Sequence, residues 1–206
     1  MAEPAAVSLH SLKQAGVSLG DSVAIFGAGP IGLMLAAFAA AWGALKIILL
    51  DIDQTKLDFA KSLGYNYVLD AKDENFVEQV MDITDGKGVD VAVEGAGAAP
   101  AYAGCLKIVK PMGQVVLMGN PLGDMPLSQK DYWEILRKQL SVHGTWNSSY
   151  TQAVNDWQVA LEAMAEGRLD VSQFITHRFD FSDCNKAFDM VNERKEFFNK
   201  VMFIDE

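Results

Sequence analysis

Short runs of apolar, mostly β-branched residues alternate with segments of helical spacing along most of the chain. The runs cover residues 22–26, 46–50, 65–69, 89–93, 114–118 and 140–143. Each has the length and composition of a parallel strand buried on both faces. Helical spacing of apolar positions fills the gaps between them, at residues 31–42, 54–63, 76–83, 100–110 and 130–139. This alternation predicts an α/β fold with a doubly wound, six-stranded parallel sheet of the Rossmann type.

The pattern changes after Trp146. It predicts a helix over 153–167, a strand at 174–179, a helix over 182–192 capped by Ser182, and a last strand at 200–204. A further helix opens the chain at 2–14, without the leader expected of a complete enzyme. We therefore predict a nucleotide-binding domain with a leading helix at 1–147. Residues 148–206 are predicted to be a C-terminal segment of a catalytic domain whose remainder is absent.

A glycine turn follows the first predicted strand, with the sequence Gly27-Ala28-Gly29-Pro30-Ile31-Gly32. Gly27 suits a sharp turn, and Gly29 has no side chain to keep the backbone away from a pyrophosphate. Gly32 allows the following helix to pack closely on its strand. The N-terminus of that helix supplies free N–H groups and the positive end of its dipole. The turn alone is weak evidence, because such glycines can also be purely structural.

Asp51 ends the second predicted strand, 19 residues beyond Gly32. A carboxylate at this place accepts both ribose hydroxyls of an adenosine and repels a 2′-phosphate, so it favours NAD over NADP. The alternative role for Asp51 is a helix N-cap, for which Asp53 is at least as well placed. The paired signals predict a nicotinamide-dinucleotide site.

Two other enzyme classes share part of this pattern. Methyltransferases that use S-adenosylmethionine also have a glycine turn and an acidic strand end, but a further helix and strand after the fifth strand favour a dinucleotide. Short-chain dehydrogenases need Tyr-x-x-x-Lys, and none of the five tyrosines has a lysine four positions later. The second class is therefore excluded.

Charge and composition narrow the partners. The net charge of −10, without clustered Lys and Arg, argues against nucleic acid. The uncharged stretch 23–45 contains four glycines and Pro30, so it fits two buried elements better than a membrane span. Cys105 and Cys184 lack metal or redox spacing, and we expect Cys105 to be a buried packing residue. A cytoplasmic protein without membrane segments is the expectation.

Several motifs together resemble one known family. They are Glu3–His10, the glycine turn, Asp51 with Lys56, residues 91–95, residues 116–119 and residues 175–179. In this order they are similar to the zinc-dependent medium-chain dehydrogenases, and most to the branch of sorbitol dehydrogenase and galactitol-1-phosphate 5-dehydrogenase. The resemblance covers essentially the whole chain, and its collinearity is more specific than any single motif.

The resemblance implies roles for individual residues. Gly29, Pro30 and Ile31 would line the pyrophosphate, and Asp51 and Lys56 would hold the adenosine ribose. The nicotinamide ribose, ring and carboxamide would be bordered by Met118, Gly119, Asn120, Thr145, Trp146 and Asn147.

Three further residues were considered on the same basis. Glu3 matches a position that contacts the metal in this branch, although a solvated acid in a first helical turn is the alternative. Lys200 either approaches the phosphates or is a solvated lysine, and His177 is expected to be structural.

The implied protein is an NAD-dependent zinc dehydrogenase of polyols or sugar-alcohol phosphates, paired as a homodimer or homotetramer through its sixth strand. Zinc would polarise the substrate hydroxyl in the full-length enzyme. This chain would bind NAD(H) but turn over no alcohol, since the zinc ligands belong to a separate domain and no zinc is expected here. The alternative is a non-catalytic nucleotide-binding or oligomerisation module.

Overall fold

The computed structural model describes residues 1–205, and its central element is a six-stranded parallel sheet. The strands are β1 (Ser22–Phe26), β2 (Lys46–Asp51), β3 (Tyr67–Asp70), β4 (Val89–Glu94), β5 (Val109–Leu117) and β6 (Ser141–Gly144). Their spatial order is β3-β2-β1-β4-β5-β6, and all neighbours run parallel. The order reverses between β1 and β4, which opens a crevice at the carboxyl ends of these strands. The predicted fold class is confirmed.

Helices cover both faces of this sheet. They are α1 (Ala2–Ala15), α2 (Pro30–Ala41), α3 (Gln54–Ser62), α4 (Phe76–Ile83), α5 (Ala99–Ile108) and α6 (Gln129–Lys138). Side chains of α1, α2 and α3 share one hydrophobic cluster with the sheet, and those of α4 and α5 share a second. Each cluster buries the apolar side of its helices against one face of the strands. Among residues 1–205, no helix has both the length and the apolar character needed to cross a membrane.

The C-terminal segment forms a separate unit of secondary structure. It consists of α7 (Asp156–Ala165), a 3-10 turn at Ser172–Phe174, β7 (Ile175–Asp180), a 3-10 turn at Phe181–Asp183, α8 (Cys184–Glu193) and β8 (Lys200–Ile204). Strands β7 and β8 pair in parallel as a two-stranded sheet of their own. The segment is attached through Ala160, Leu169 and Phe174, which join the hydrophobic cluster of α1 and α2.

Some element boundaries differ from the predictions. Strand β5 begins at Val109, and the predicted helix stops at Ile108, because Lys110 precedes a proline and is biased to extended backbone. Helix α7 begins at Asp156, because the side chain of Asn155 accepts from the N–H of Gln158 and caps it there.

The prediction that Ser182 caps a helix is wrong. Ser182 lies inside the 3-10 turn, where its N–H donates to the carboxylate of Asp180, and α8 begins at Cys184. The predicted burial of Cys105 is confirmed, and both cysteines are free.

Candidate functional site

A pocket of about 640 Å³ opens at the carboxyl ends of the central strands. Its walls include the glycine turn, the end of β2 and the first turns of α5. Among its lining residues are the predicted Gly27, Gly29, Pro30, Ile31, Gly32, Asp51 and Lys56. The structure therefore brings together all of the residues predicted for the adenosine and pyrophosphate part of the site.

The glycines of the turn differ in what surrounds them. Gly27 has φ of 110°, a backbone conformation that side chains disfavour. A Cβ on Gly32 would lie 1.8 Å from the carbonyl oxygen of Gly27, so helix and strand approach too closely for any side chain there. A Cβ on Gly29 would meet nothing within 4 Å. Gly27 and Gly32 thus shape the turn, while Gly29 leaves open space in front of it.

The N-terminus of α2 points its unused donors into this open space. Gly29 is the N-cap residue with extended backbone, Pro30 occupies the first helical turn, and no side chain caps the helix. The first N–H groups of a helix have no intrahelical partner, and the helix dipole makes this end positive. A phosphate-sized anion fits these donors.

Asp51 is held by the backbone of the turn. Its side chain is 6% exposed, and its Oδ2 accepts from the N–H of Ala28 at 2.8 Å. Its Oδ1 accepts from the N–H of Asp53 at 3.0 Å, and Lys56 Nζ lies 3.6 Å from Oδ2. Each carboxylate oxygen has a second lone pair, which a ribose hydroxyl can use.

Asp53, and not Asp51, is the N-cap of α3. Its carboxylate accepts from the N–H of Thr55 at 2.9 Å and from the Thr55 hydroxyl at 2.7 Å. The hydrogen bond from the Thr55 side chain is the main cause that lowers the pKa of Asp53 below its ordinary value. The alternative role considered for Asp51 is therefore taken by its neighbour.

A smaller pocket of about 210 Å³ adjoins the first, and Ile31 lines both. One wall is α1, through Glu3, Val7 and Ser11, and the opposite wall follows β5 and β6. That second wall contains the predicted Met118, Thr145, Trp146 and Asn147. The chain thus gathers most of the residues predicted for the nicotinamide side next to the glycine turn.

Four other considered residues line neither pocket: Gly119, Asn120, His177 and Lys200. A Cβ on Gly119 would lie 2.1 Å from the Gly97 backbone nitrogen, so Gly119 allows β5 to pack on the turn after β4. The carbonyl oxygen of Asn120 abuts Gly97 from the same side. His177 bonds Thr176 within β7, and Lys200 opens β8.

Glu94 was missed by the sequence reasoning and lies at the crevice. It ends β4, is 1% exposed, and its Oε1 accepts from the N–H groups of Ala96, Gly97 and Ala98. Glu94 thereby places a carboxylate at the N-terminal end of α5, and Asp51 does the same through Ala28, directly before the N-cap of α2. The sequence does contain a signal for Glu94. It is an acidic residue between an apolar strand and a Gly-x-Gly turn, which is the position of a crevice edge.

The segment that follows β6 carries two unusual features. Thr145 Oγ1 is a buried side-chain atom that has no hydrogen-bond partner within residues 1–205. Asn147 has φ of 58°, the left-handed region that non-glycine residues seldom adopt. Unpaired polar atoms and unusual backbone angles cluster at ligand sites more often than elsewhere.

The residues present do not form a zinc site. Within residues 1–205, no group of three or more His, Cys, Asp and Glu side chains is placed to hold a metal ion. Glu3 lies exposed in the first turn of α1, on the rim of the smaller pocket. Structural and catalytic zinc sites take three or four protein ligands, so Glu3 alone does not make one.

Comparisons with known proteins agree with this geometry. The zinc-binding dehydrogenase family matches residues 30–166. The sorbitol dehydrogenase of Halalkalibacterium halodurans is 34% identical over 91% of this chain and 53% of its own length. The crystal structure of galactitol-1-phosphate dehydrogenase from Escherichia coli superposes with a TM-score of 0.86 at 28% identity, over 99% of this chain and 59% of the other. A structure from Sinorhizobium meliloti 1021, bound to NADP, has a TM-score of 0.84 at 27% identity, over 99% of this chain and 58% of the other.

The chain spans about half the length of the curated relatives that it matches. The matched part includes both the crevice and the C-terminal segment, since the alignments cover more than nine-tenths of this chain.

Proposed function

The chain belongs to the zinc-binding dehydrogenase family, and from that premise we propose that it binds NAD(H) for the oxidation of a polyol or a polyol phosphate. The observation that carries the proposal is the uncapped N-terminus of α2 in an open pocket, with the buried carboxylate of Asp51 beside it. When bound, the nicotinamide ring supplies the acceptor for a hydride. The residues of this chain bind and orient the dinucleotide.

The two pockets divide the dinucleotide between them. The pyrophosphate would lie at Gly29, Pro30 and Ile31, and the adenosine ribose at Asp51 and Lys56. The nicotinamide half would extend past Ile31 into the smaller pocket, bordered by Met118 and by residues 145–147. Support comes from Ile31, which lines both pockets and therefore places them side by side.

The preference for NAD over NADP rests on Asp51. Its carboxylate faces the pocket, and a 2′-phosphate on the ribose would bring like charges together. Lys56 Nζ, 3.6 Å from Asp51, offsets part of that repulsion. One structural relative holds NADP, and titration with both nucleotides measures the preference of this chain.

Calorimetric titration of the 206-residue chain with NAD and with NADP tests the proposal. We expect NAD to bind more tightly than NADP, and Asp51→Asn to lower the ratio of the two affinities by about tenfold. Gly29→Ala should weaken both nucleotides without lowering the melting temperature, because its Cβ would enter the space of the phosphate and clash with nothing else. A folded chain that binds neither nucleotide, or that prefers NADP, would contradict the proposal.

The remaining parts of the reaction are placed outside this chain. We propose that the rest of the full-length protein supplies the metal ligands and most of the substrate pocket, and that residues 148–206 complete that catalytic domain. Two aromatic side chains on the C-terminal segment, Phe181 and Phe188, are 63% and 66% exposed, as expected of a surface that another part of the full-length protein covers. The chain alone should bind nucleotide and oxidise no alcohol, and turnover of sorbitol by the purified chain would refute this.

Sorbitol and galactitol 1-phosphate are the substrates that the names of two relatives indicate. A polyol or a polyol phosphate is therefore the proposed substrate class, and a screen of the full-length enzyme with both compounds would separate the two. The non-catalytic alternative would be supported if the full-length protein lacked metal ligands.

Self-association through β6 is also proposed. β6 is the edge strand of the large sheet, with Val142 38% exposed, and the adjacent α6 has no fully buried residue within the described chain. An unpaired edge beside exposed Trp133 and Leu136 is suited to pairing with a second copy, as a homodimer or within a homotetramer. Light scattering that finds only monomer at the highest soluble concentration would contradict this.

A further inference from the structure

The smaller pocket has two walls that are far apart in sequence. Glu3, Val7 and Ser11 belong to α1, whereas Thr145, Trp146 and Asn147 follow β6. A pocket of this kind keeps its shape only if something holds the two walls at a fixed separation. Such a device would decide how well the nicotinamide half is held.

Asp156, the first residue of α7, bonds to the helix that carries one wall and to the segment that follows the other. It is 0% exposed, and its carboxylate accepts from Lys13 Nζ at 2.6 Å and lies 2.9 Å from His10 Nδ1, both on α1. The same carboxylate accepts from the N–H of Ser149 at 2.8 Å, two residues beyond Asn147. One buried side chain therefore bonds the helix that forms one wall and the loop that forms the other.

The loop depends on this attachment. The N–H of Asp156 donates back to the carbonyl oxygen of Ser149 at 2.9 Å, which closes residues 149–156 into a compact loop. Trp157 Nε1 donates to Ser148 Oγ at 2.9 Å. At its other end, Thr145 N–H donates to the carbonyl oxygen of Leu117. Between these anchors lie only Trp146 and Asn147, both exposed and both facing the pocket.

We propose that Asp156 is a positioning residue for the nicotinamide half of the dinucleotide, acting by fixing the segment 145–149 against α1. The proposal rests on the proposed function, since it concerns the same nucleotide site. A buried carboxylate that bonds Lys13, the N–H of Ser149 and the His10 ring is a rigid connection, because the loss of its charge weakens all three bonds at once. The adenosine side of the site, at Gly29 and Asp51, has no part in this connection.

Two ligands separate the two sides of the site. NADH carries both halves, whereas ADP-ribose carries the adenosine, both phosphates and a ribose without nicotinamide. For the unchanged chain we expect NADH to bind more tightly than ADP-ribose, as measured by calorimetry. For Asp156→Asn we expect the affinity for NADH to fall by about tenfold, and the affinity for ADP-ribose to stay within about twofold of the original.

Two further variants make the experiment decisive. Asp170→Asn is the matched control, because Asp170 lies in the same C-terminal segment and, within residues 1–205, its carboxylate bonds only Ser172, two residues away. It should change neither affinity. Lys13→Met removes one donor whose side chain is 35% exposed, so it is the second variant to use if Asp156→Asn does not fold. It should lower the affinity for NADH by about threefold and leave the affinity for ADP-ribose unchanged.

The inference is overturned if Asp156→Asn or Lys13→Met lowers only the melting temperature, since that is the result of a purely structural contact. It is overturned as well if both ligands weaken equally, or if the unchanged chain binds NADH no better than ADP-ribose. If the unchanged chain binds neither ligand, the proposed function itself fails, and that result is distinguishable from the others.

Discussion

The two sheets of the molecule differ in how they are buried. All five residues of β1 are buried, and so are the last four of β2, whereas every residue of β7 and β8 is at least partly exposed. The ring of Phe203 in β8 stacks on that of Phe181, with 5.3 Å between the ring centroids, and its centroid lies 6.2 Å from that of Phe188. Phe181 and Phe188 are nevertheless mostly exposed. A two-stranded sheet is marginal alone. The central strands of the large sheet thus lie in a complete core, whereas the small sheet is stabilised by what packs on it.

Matched leucine substitutions should expose this difference most strongly. Leu49→Ala, in the centre of β2 with no exposed surface, should lower the free energy of unfolding by about 2–5 kcal/mol. Leu161→Ala, on α7 and 50% exposed, should cost less than about 0.5 kcal/mol. Urea unfolding followed by far-UV circular dichroism measures both values. Equal losses would mean that Leu161 on α7 is packed as tightly as Leu49 in β2.

Asp156, with Lys13 and His10, joins the C-terminal segment to α1 on the large sheet. The contribution of these contacts to the free energy of unfolding should depend on pH. Burial raises the pKa of Asp156, but bonds from Lys13, Ser149 and His10 outweigh it, so the pKa lies below its ordinary value of 3.8. A carboxyl with a depressed pKa stabilises the fold above that ordinary value, and the contribution is lost as the pH falls through the folded-state pKa.

Asp156→Asn should therefore lower the free energy of unfolding by about 1–3 kcal/mol at neutral pH. The gap between variant and unchanged chain should close progressively once the pH falls below 3.8. Thermal unfolding at a series of pH values, with Asp170→Asn as the exposed control, provides the comparison. A gap that persists undiminished in strong acid would show that the ionised carboxylate is not what joins the regions.

The sequence was most informative where local patterns decide the structure. The apolar runs located all six strands of the large sheet, and the glycine turn with Asp51 located the larger pocket, because strand burial and tight turns are encoded within a few residues. The resemblance of Thr145, Trp146 and Asn147 to a known family located the second wall of the smaller pocket.

The features that the sequence did not reveal depend on long-range contacts or on local competition. Asp156 reaches His10 across 146 positions, which no periodicity can indicate. Glu94 lies in a family motif, but its role as an acceptor depends on a turn in which three successive N–H groups point at its carboxylate. Ser182 was expected to cap a helix, but Asp180 caps the 3-10 turn Phe181–Asp183 instead and so places Ser182 inside that turn.

The smallest predicted effect lies at the junction of the two regions, on Thr145. Within residues 1–205 its hydroxyl is buried without a hydrogen-bond partner, whereas its N–H donates to the carbonyl oxygen of Leu117 in β5. An unpaired buried hydroxyl costs stability, and valine has nearly the same shape without it. Thr145→Val should therefore leave the free energy of unfolding unchanged or raise it by up to about 1 kcal/mol.

The matched control is Thr145→Ser, which keeps the hydroxyl and deletes the methyl group, and which should cost up to about 1 kcal/mol through lost packing. Differential scanning calorimetry of the three chains compares them directly. If valine destabilises the chain more than serine does, the hydroxyl has a bonding partner in solution, and the junction is more strongly held than the burial of Thr145 alone implies. If valine is the more stable, the polar group at this junction is kept at a cost to the fold, as expected at a ligand-binding position.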